Sequence, residues 1–251
     1  MTPHNKDILH IEHLAFSYPD TPGVIRDFSL QVFQGEKVGI IGPNGAGKST
    51  LFLLITGVLS ASEGEIRFMG APLQPGNFYP EMALVFQQSD DQLFCPTVWD
   101  DVAFGPRNMG LSDSEIEKRV DTSLAQTGTA QFSHKVVHHL SEGQKRMVAI
   151  AGALAMRPEL ILYDEPSASL DIRSRRQLIS LLQSSRHAML LASHDLELVL
   201  EVCSRVVLLD DGEIVAEGDP RKIMADEELM RAHGQEKPHS LVPHQLLHSH
   251  T

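Results

Sequence analysis

Apolar and polar residues alternate over much of residues 8–18 and 28–33, the period-two pattern of half-buried antiparallel strands. Residues 37–41, Lys-Val-Gly-Ile-Ile, form a short apolar run that reads as a strand, and residues 51–55 follow as a helix. Further strands are predicted over 65–69, punctuated by Gly64 and Gly70, and over 82–86. Beyond Gln87 the period becomes helical. Residues 97–104, 112–126 and 141–156 read as helices, the second with a Ser cap, an acidic first turn and an end before Gly128. After Arg157-Pro158 strands over 160–164 and 188–193 alternate with helices over 173–185 and 195–203. Asp210-Asp211-Gly212 between apolar runs is a hairpin signal, and Pro220 and Asp226 open two short helices. This alternation implies an α/β fold with a largely parallel sheet, an antiparallel β subdomain and a helical subdomain over about 89–158. The domain is expected to span 1–233, followed by a polar, His-rich, poorly ordered tail over 234–251.

Between the strand at 37–41 and the helix lies Gly42-Pro43-Asn44-Gly45-Ala46-Gly47-Lys48-Ser49-Thr50, which satisfies the phosphate-loop pattern G-x-x-x-x-G-K-[ST]. Small residues let backbone N–H groups converge on a polyphosphate, and the helix dipole presents its positive end to the anion. Lys48 brings a mobile charge to the outer phosphates, and the Ser49 hydroxyl can ligate Mg²⁺. A polyphosphate with Mg²⁺ is therefore expected. A second motif, Leu140-Ser141-Glu142-Gly143-Gln144, opens the helix over 141–156, and Ser141 with Gln144 forms an S-x-x-Q capping box. The apolar run 160–163 ends in Asp164-Glu165, two acids delivered to the carboxyl edge of a sheet.

With these motifs the chain resembles the ATPase subunits of ABC transporters, whose signature is usually LSGGQ; Glu142 departs from the usual glycine. The resemblance implies ATP on a P-loop NTPase fold with a RecA-like core sheet, with Asp164 holding Mg²⁺ and Glu165 the general base for the attacking water. It implies that Gln87 is the Q-loop glutamine sensing Mg²⁺ and water, although Gln88 is adjacent. Ser169-Leu170-Asp171 matches the D-loop at a dimer interface, His194 the switch histidine on the γ-phosphate, and Tyr18 the aromatic that stacks on adenine. Ser141 and Gly143 would touch phosphate held by a second ATPase subunit. That subunit would be a copy of this chain or a related ATPase.

The run from Asp91-Gln92-Leu93-Phe94 through Asp101-Val102-Ala103-Phe104-Gly105-Pro106 to Gly110-Leu111 is similar to that of energy-coupling factor (ECF) ATPases. These energise prokaryotic uptake of cobalt, nickel and vitamins through a transmembrane coupling protein and a substrate-binding membrane component. Leu93, Phe94 and Trp99 are expected to dock the partner's coupling helices, while Phe104 is expected to pack inside. A different ABC transporter, a vitamin importer, or a soluble ABC protein acting on nucleic acid or ribosomes are the competing classes.

Charge and composition narrow these. A formal net charge of −12 argues against a nucleic-acid partner. No apolar run approaches the about 18 residues that cross a membrane, and the first ten residues have no signal pattern. The chain is therefore expected at the cytoplasmic face of a prokaryotic membrane. Cys95 and Cys203, without C-x-x-C spacing, read as free thiols. His239, His244, His248 and His250 suit nickel or cobalt as weak imidazole ligands and tip the expected cargo towards those ions, although a solvated tail is the commoner explanation of such a bias.

Overall fold

The computed structural model describes residues 6–242. The chain runs through β1 (Asp7–Tyr18), β2 (Thr21–Phe33), β3 (Lys37–Ile41), α1 (Lys48–Ile55), β4 (Glu63–Phe68), β5 (Ala71–Pro72) and β6 (Met82–Val85). Three helices follow: α2 (Val98–Asn108), α3 (Asp113–Gln126) and α4 (Glu142–Ala155). The second half comprises β7 (Leu160–Asp164), α5 (Ile172–Ser184), β8 (Ala188–Ala192), α6 (Leu196–Val202), β9 (Arg205–Asp210), β10 (Glu213–Gly218), α7 (Pro220–Ala225) and α8 (Glu227–Ala232).

Six strands form one sheet in the order β10-β9-β3-β8-β7-β6. All its neighbours are parallel except the β9–β10 hairpin. The strands β3, β7 and β8 are apolar on both faces because both faces are covered. Alternate residues serve different cores. Val38, Ile40, Leu160, Leu162 and Leu190 face α1 and the antiparallel sheet, whereas Ile41, Ile161, Tyr163, Met189 and Leu191 face α5 and α6. The antiparallel sheet has the order β2-β1-β4-β5. A third core lies within the helical subdomain, where Val98, Val102, Ile116, Val120, Leu124, Val148 and Ala151 meet.

Some boundaries differ from the sequence reading. The strand β2 begins at Thr21, not at residue 28, because Val24 and Ile25 extend its pairing with β1 up to the Tyr18–Thr21 pair. The helix α2 continues past Phe104 and carries Pro106 in its interior. Burial of Val98, Val102, Ala103 and Pro106 on one face offsets the proline's cost of about 3 kcal/mol. The helix stops at Gly110, whose φ of 70° suits a left-handed turn.

Residues 234–242, expected to belong to a poorly ordered tail, are instead packed. Gln235 N–H donates to the Met230 carbonyl at 2.8 Å, and Pro238 is buried. Ser240 donates through its N–H and its hydroxyl to the Glu197 carboxylate, at 3.0 and 2.6 Å. Leu241 packs on the core beneath. These contacts hold the segment through Val242 against the α/β layer.

Candidate functional site

The phosphate loop leaves β3 at Ile41 and enters α1 at Lys48. Gly42 has a φ of 149°, and a Cβ there would lie 1.9 Å from the Leu209 carbonyl oxygen. Gly47, with φ of 101°, would meet the Val24 carbonyl oxygen at 2.7 Å. Neither position admits a side chain, so the loop's curvature depends on both glycines. Lys48 Nζ donates to the carbonyls of Gly42 at 2.7 Å and Pro43 at 3.0 Å, and lies 3.4 Å from His194 Nε2. Burial lowers the Lys48 pKa, and the charges of Glu165 and Asp164 work against that shift.

The loop forms one wall of a cavity of about 370 Å³. Asn44, Gly45, Ala46, Gly47, Lys48, Ser49 and Thr50 line it together with Tyr18, Gln87, Asp164, Glu165 and His194. Gly42 and Pro43 stand behind this wall as acceptors for Lys48. Tyr18 is fixed edge-on against Phe16 at 4.8 Å, with its hydroxyl 3.4 Å from Thr50 Oγ1. Thr21 and Val24 of β2 also line the cavity. They are missing from the sequence reading, where the only cue is their place just after Tyr18. Gln87 lines it, whereas Gln88 caps the following turn and does not.

The chemistry gathers at the carboxyl ends of β7 and β8. Burial raises the Asp164 pKa, against the nearby Ser49 hydroxyl and the Lys48 charge, which lower it. Glu165 has a left-handed backbone, φ 47°, which turns its side chain towards β8. Its Oε2 accepts from the His194 N–H at 3.1 Å and from Ser193 Oγ at 3.4 Å. Its Oε1 is buried without a hydrogen-bond partner, 3.5 Å from His194 Nε2. Burial raises the Glu165 pKa, while the His194 N–H and the His194 and Lys48 charges lower it. Ser49, Asp164 and Gln87 offer oxygen donors of the hard class that Mg²⁺ takes, so the residues fit that ion.

The Ser141–Gln144 motif is elsewhere. No residue of it lines the cavity. It begins α4 with both halves of the capping box formed: Ser141 Oγ accepts from Gln144 N–H at 3.4 Å, and Gln144 Oε1 from Ser141 N–H at 3.1 Å. Gly143 abuts α5, since a Cβ there would lie 2.7 Å from Ser174 Oγ. Ser169 and Leu170 lead into α5, which Asp171 caps through the Ser174 N–H at 2.7 Å. These residues are outside the cavity as well. Glu142 turns to Lys145, with Oε1 3.1 Å from Nζ. Arg146 holds the carbonyls of Phe86 and Gln87, so α4 grips the segment that carries Gln87. Sequence reasoning gave Lys145 and Arg146 no part; their position directly after Gln144 was the available cue.

Two expectations for the linker are overturned. Leu93 is 5% exposed and belongs to the helical core, because the turn Ser89–Asp91, closed by the Leu93 N–H on the Ser89 carbonyl, points it inward, where it forms the floor of a groove edged by Phe94 and Phe104. Phe104 is 43% exposed, on the opposite side of α2 from its buried face. It stacks edge-on with Phe94, itself 64% exposed, at 4.8 Å. Trp99 is half-buried against the core with Arg107 over its ring. His239 is exposed, and no group of three or more metal-capable His, Cys, Asp or Glu residues occurs among the described residues. His244, His248 and His250 lie outside the described residues.

Residues 25–168, more than half of the chain, match the family model described as ABC transporter. The chain belongs to the ABC transporter ATPase family. A putative ABC transporter ATP-binding protein of Synechocystis is 51% identical over 233 residues, covering 93% of this chain and 82% of that protein. The energy-coupling factor transporter ATP-binding protein EcfA of Methanothermobacter thermautotrophicus is 43% identical, covering 89% of this chain and 75% of its own length. The solved structure of cbiO1 from Clostridium perfringens, described as part of the ABC transporter complex cbiONQ, superposes with a TM-score of 0.80. It is 36% identical and covers 90% of this chain and 94% of that one. The chain is thus an ECF-type ABC ATPase subunit that binds and hydrolyses ATP for transport. No helix among the described residues is long and apolar enough to cross a membrane.

Proposed function

We propose that two copies of this chain bind head to tail and enclose ATP between the phosphate loop of one and the Ser141–Gln144 turn of the other. The observation that carries this reading is the separation of motifs. The cavity gathers Lys48, Asp164, Glu165 and His194, yet holds no residue of the signature or of Ser169-Leu170-Asp171. A second copy supplies the missing wall.

In this reading the N–H groups of residues 44–49 cradle the β- and γ-phosphates. Lys48 leaves the carbonyls of Gly42 and Pro43 for the phosphate oxygens, a stronger, charge-assisted partner. Tyr18 supports the adenine. Mg²⁺ held by Ser49, Asp164 and Gln87 would neutralise phosphate charge. Glu165 accepts the proton of the attacking water at Oε1, the oxygen without a partner, while Oε2 stays anchored. His194 orients the γ-phosphate. Ser141 and Gly143 of the partner copy close the site from the other side.

Phe94 and Phe104 edge a groove of about 200 Å³ that Phe78, Leu84, Asn108 and Met156 also line. An amphipathic helix of a transmembrane coupling protein fits this apolar slot between the helical subdomain and the sheet. Closure on ATP moves the groove, and the membrane component converts that motion into import at the cytoplasmic face. The cargo we propose is cobalt or nickel, supported by the ECF resemblance and by the nitrogen-ligand chemistry of the terminal histidines. The deciding experiment is purification with the membrane components and a transport assay. ATP-dependent uptake of cobalt or nickel supports the reading, and uptake of a vitamin alone rejects that cargo.

A further inference from the structure

Glu142 opens α4 directly after the Ser141 cap. A carboxylate there is drawn to the free N–H groups of the helix end. In the head-to-tail dimer proposed above, on which this inference rests, those groups meet the partner copy's terminal phosphate. A glutamate in place of the usual glycine therefore competes with the ligand unless something holds it away.

Lys145 holds it. Its Nζ lies 3.1 Å from Glu142 Oε1 and 2.8 Å from Asp90 Oδ1. The Lys145 side chain is 10% exposed, whereas those of Asp90 and Glu142 are 60% and 59% exposed. The cation is a buried hub between two solvent-facing acids. Asp90 lies in the turn Ser89–Asp91, close behind Gln87, and Arg146 fixes that same segment through the Phe86 and Gln87 carbonyls. Lys145 is thus tied through Asp90 to the segment that carries Gln87, and Glu142 is the acid that stands at the helix end.

We propose that Lys145, anchored by Asp90, is a positioning residue that draws the Glu142 carboxylate off the phosphate-facing end of α4. It keeps a glutamate-bearing signature able to receive the partner copy's ATP. The acids are 60% and 59% exposed and stay solvated when the cation is removed, and Met keeps the length of the buried Lys145 stem, so Lys145→Met should leave the chain folded. It should free one negative charge a few ångströms from a triphosphate, where partial screening still leaves repulsion worth about tenfold in affinity.

The test uses the full-length chain in a Glu165→Gln background, with ATP-driven dimerisation followed by sedimentation. Lys145→Met should weaken dimerisation about tenfold while ATP affinity of the monomer stays unchanged, and Lys145→Arg should keep it, since both retain or lose the cation as the account requires. Adding Glu142→Gly to Lys145→Met should restore dimerisation to near the parent value. A Lys145→Met chain that dimerises as tightly as the parent overturns the proposal. So does a defect that persists after Glu142→Gly, because a purely structural lysine would show that behaviour. Both of these results leave the dimer itself standing. Failure of the Glu165→Gln parent to dimerise with ATP overturns the head-to-tail reading and this proposal with it.

Discussion

The Glu165 carboxylate is anchored at one oxygen and unpartnered at the other: Oε2 accepts the His194 N–H at 3.1 Å, and Oε1 lies 3.5 Å from the His194 ring. That arrangement joins the ends of β7 and β8 and leaves one oxygen of a cavity-lining carboxylate without a partner. Glu165→Gln keeps the shape but removes the proposed base. Turnover should fall by about 10²- to 10⁴-fold with ATP binding retained. Lys48→Ala should instead weaken nucleotide binding itself. Phosphate release and nucleotide affinity, measured on both variants, check this; near-normal turnover in Glu165→Gln would remove Glu165 as the base.

The aromatic pair and its neighbour should separate docking from folding. Phe94→Asp with Phe104→Asp should preserve ATP binding and release the membrane partner, because charge enters an apolar groove at high cost. Leu93→Ala should destabilise the chain by about 2–5 kcal/mol, as a cavity in a packed core does. Co-purification and denaturant titration read the two effects. A membrane partner retained by the double variant would place docking elsewhere.

His187 should make stability fall in mild acid. Its ring Nε2 lies 3.4 Å from the Tyr163 hydroxyl, and burial, helped by the Lys37 charge, pushes its pKa from 6.5 down to about 4. The unfolded chain therefore takes up this proton first. The contribution is fully present above about pH 6.5 and is lost progressively as pH falls towards about 4. At pH 5 the loss should be about 2 kcal/mol. His187→Gln should lessen the acid sensitivity measured by denaturant titration at pH 7 and pH 5. Equal losses in both proteins would exclude His187 as the source.

Truncation after Val242 should leave ATP hydrolysis and melting temperature unchanged. Truncation after Gly234 removes the Ser240–Glu197 bonds and the Leu241 packing and should lower the melting temperature. Nickel or cobalt should bind the full-length chain more strongly than the chain ending at Val242. Equal, weak binding by both would mean the terminal histidines are not a metal site.

What the sequence revealed follows from how local each signal is. The loop Gly42 to Thr50 and the strand ending in Asp164-Glu165 are legible because contiguous residues dictate both conformation and chemistry. The parallel sheet is legible because doubly covered strands are apolar throughout. Leu93 and Phe104 are both apolar, and the sequence does not say which faces in: the turn Ser89–Asp91 buries Leu93, and the rotation of α2 leaves Phe104 outside. The surroundings of Glu142 were not legible either. Its cation is three residues away, but the acid that holds that cation, Asp90, is 55 residues from Lys145. Thr21 and Val24 reach the cavity through pairing of β1 with β2, which periodicity does not reveal.

The central claim is that one chain holds only half of each ATP site. Sedimentation velocity of the Glu165→Gln chain with ATP, with ADP, and with ATP after adding Ser141→Arg tests it most directly. The account predicts a dimer with ATP, monomer with ADP, and monomer with ATP when Ser141 is replaced although ATP still binds. A chain that binds ATP yet stays monomeric, or that dimerises equally with arginine at position 141, would contradict it.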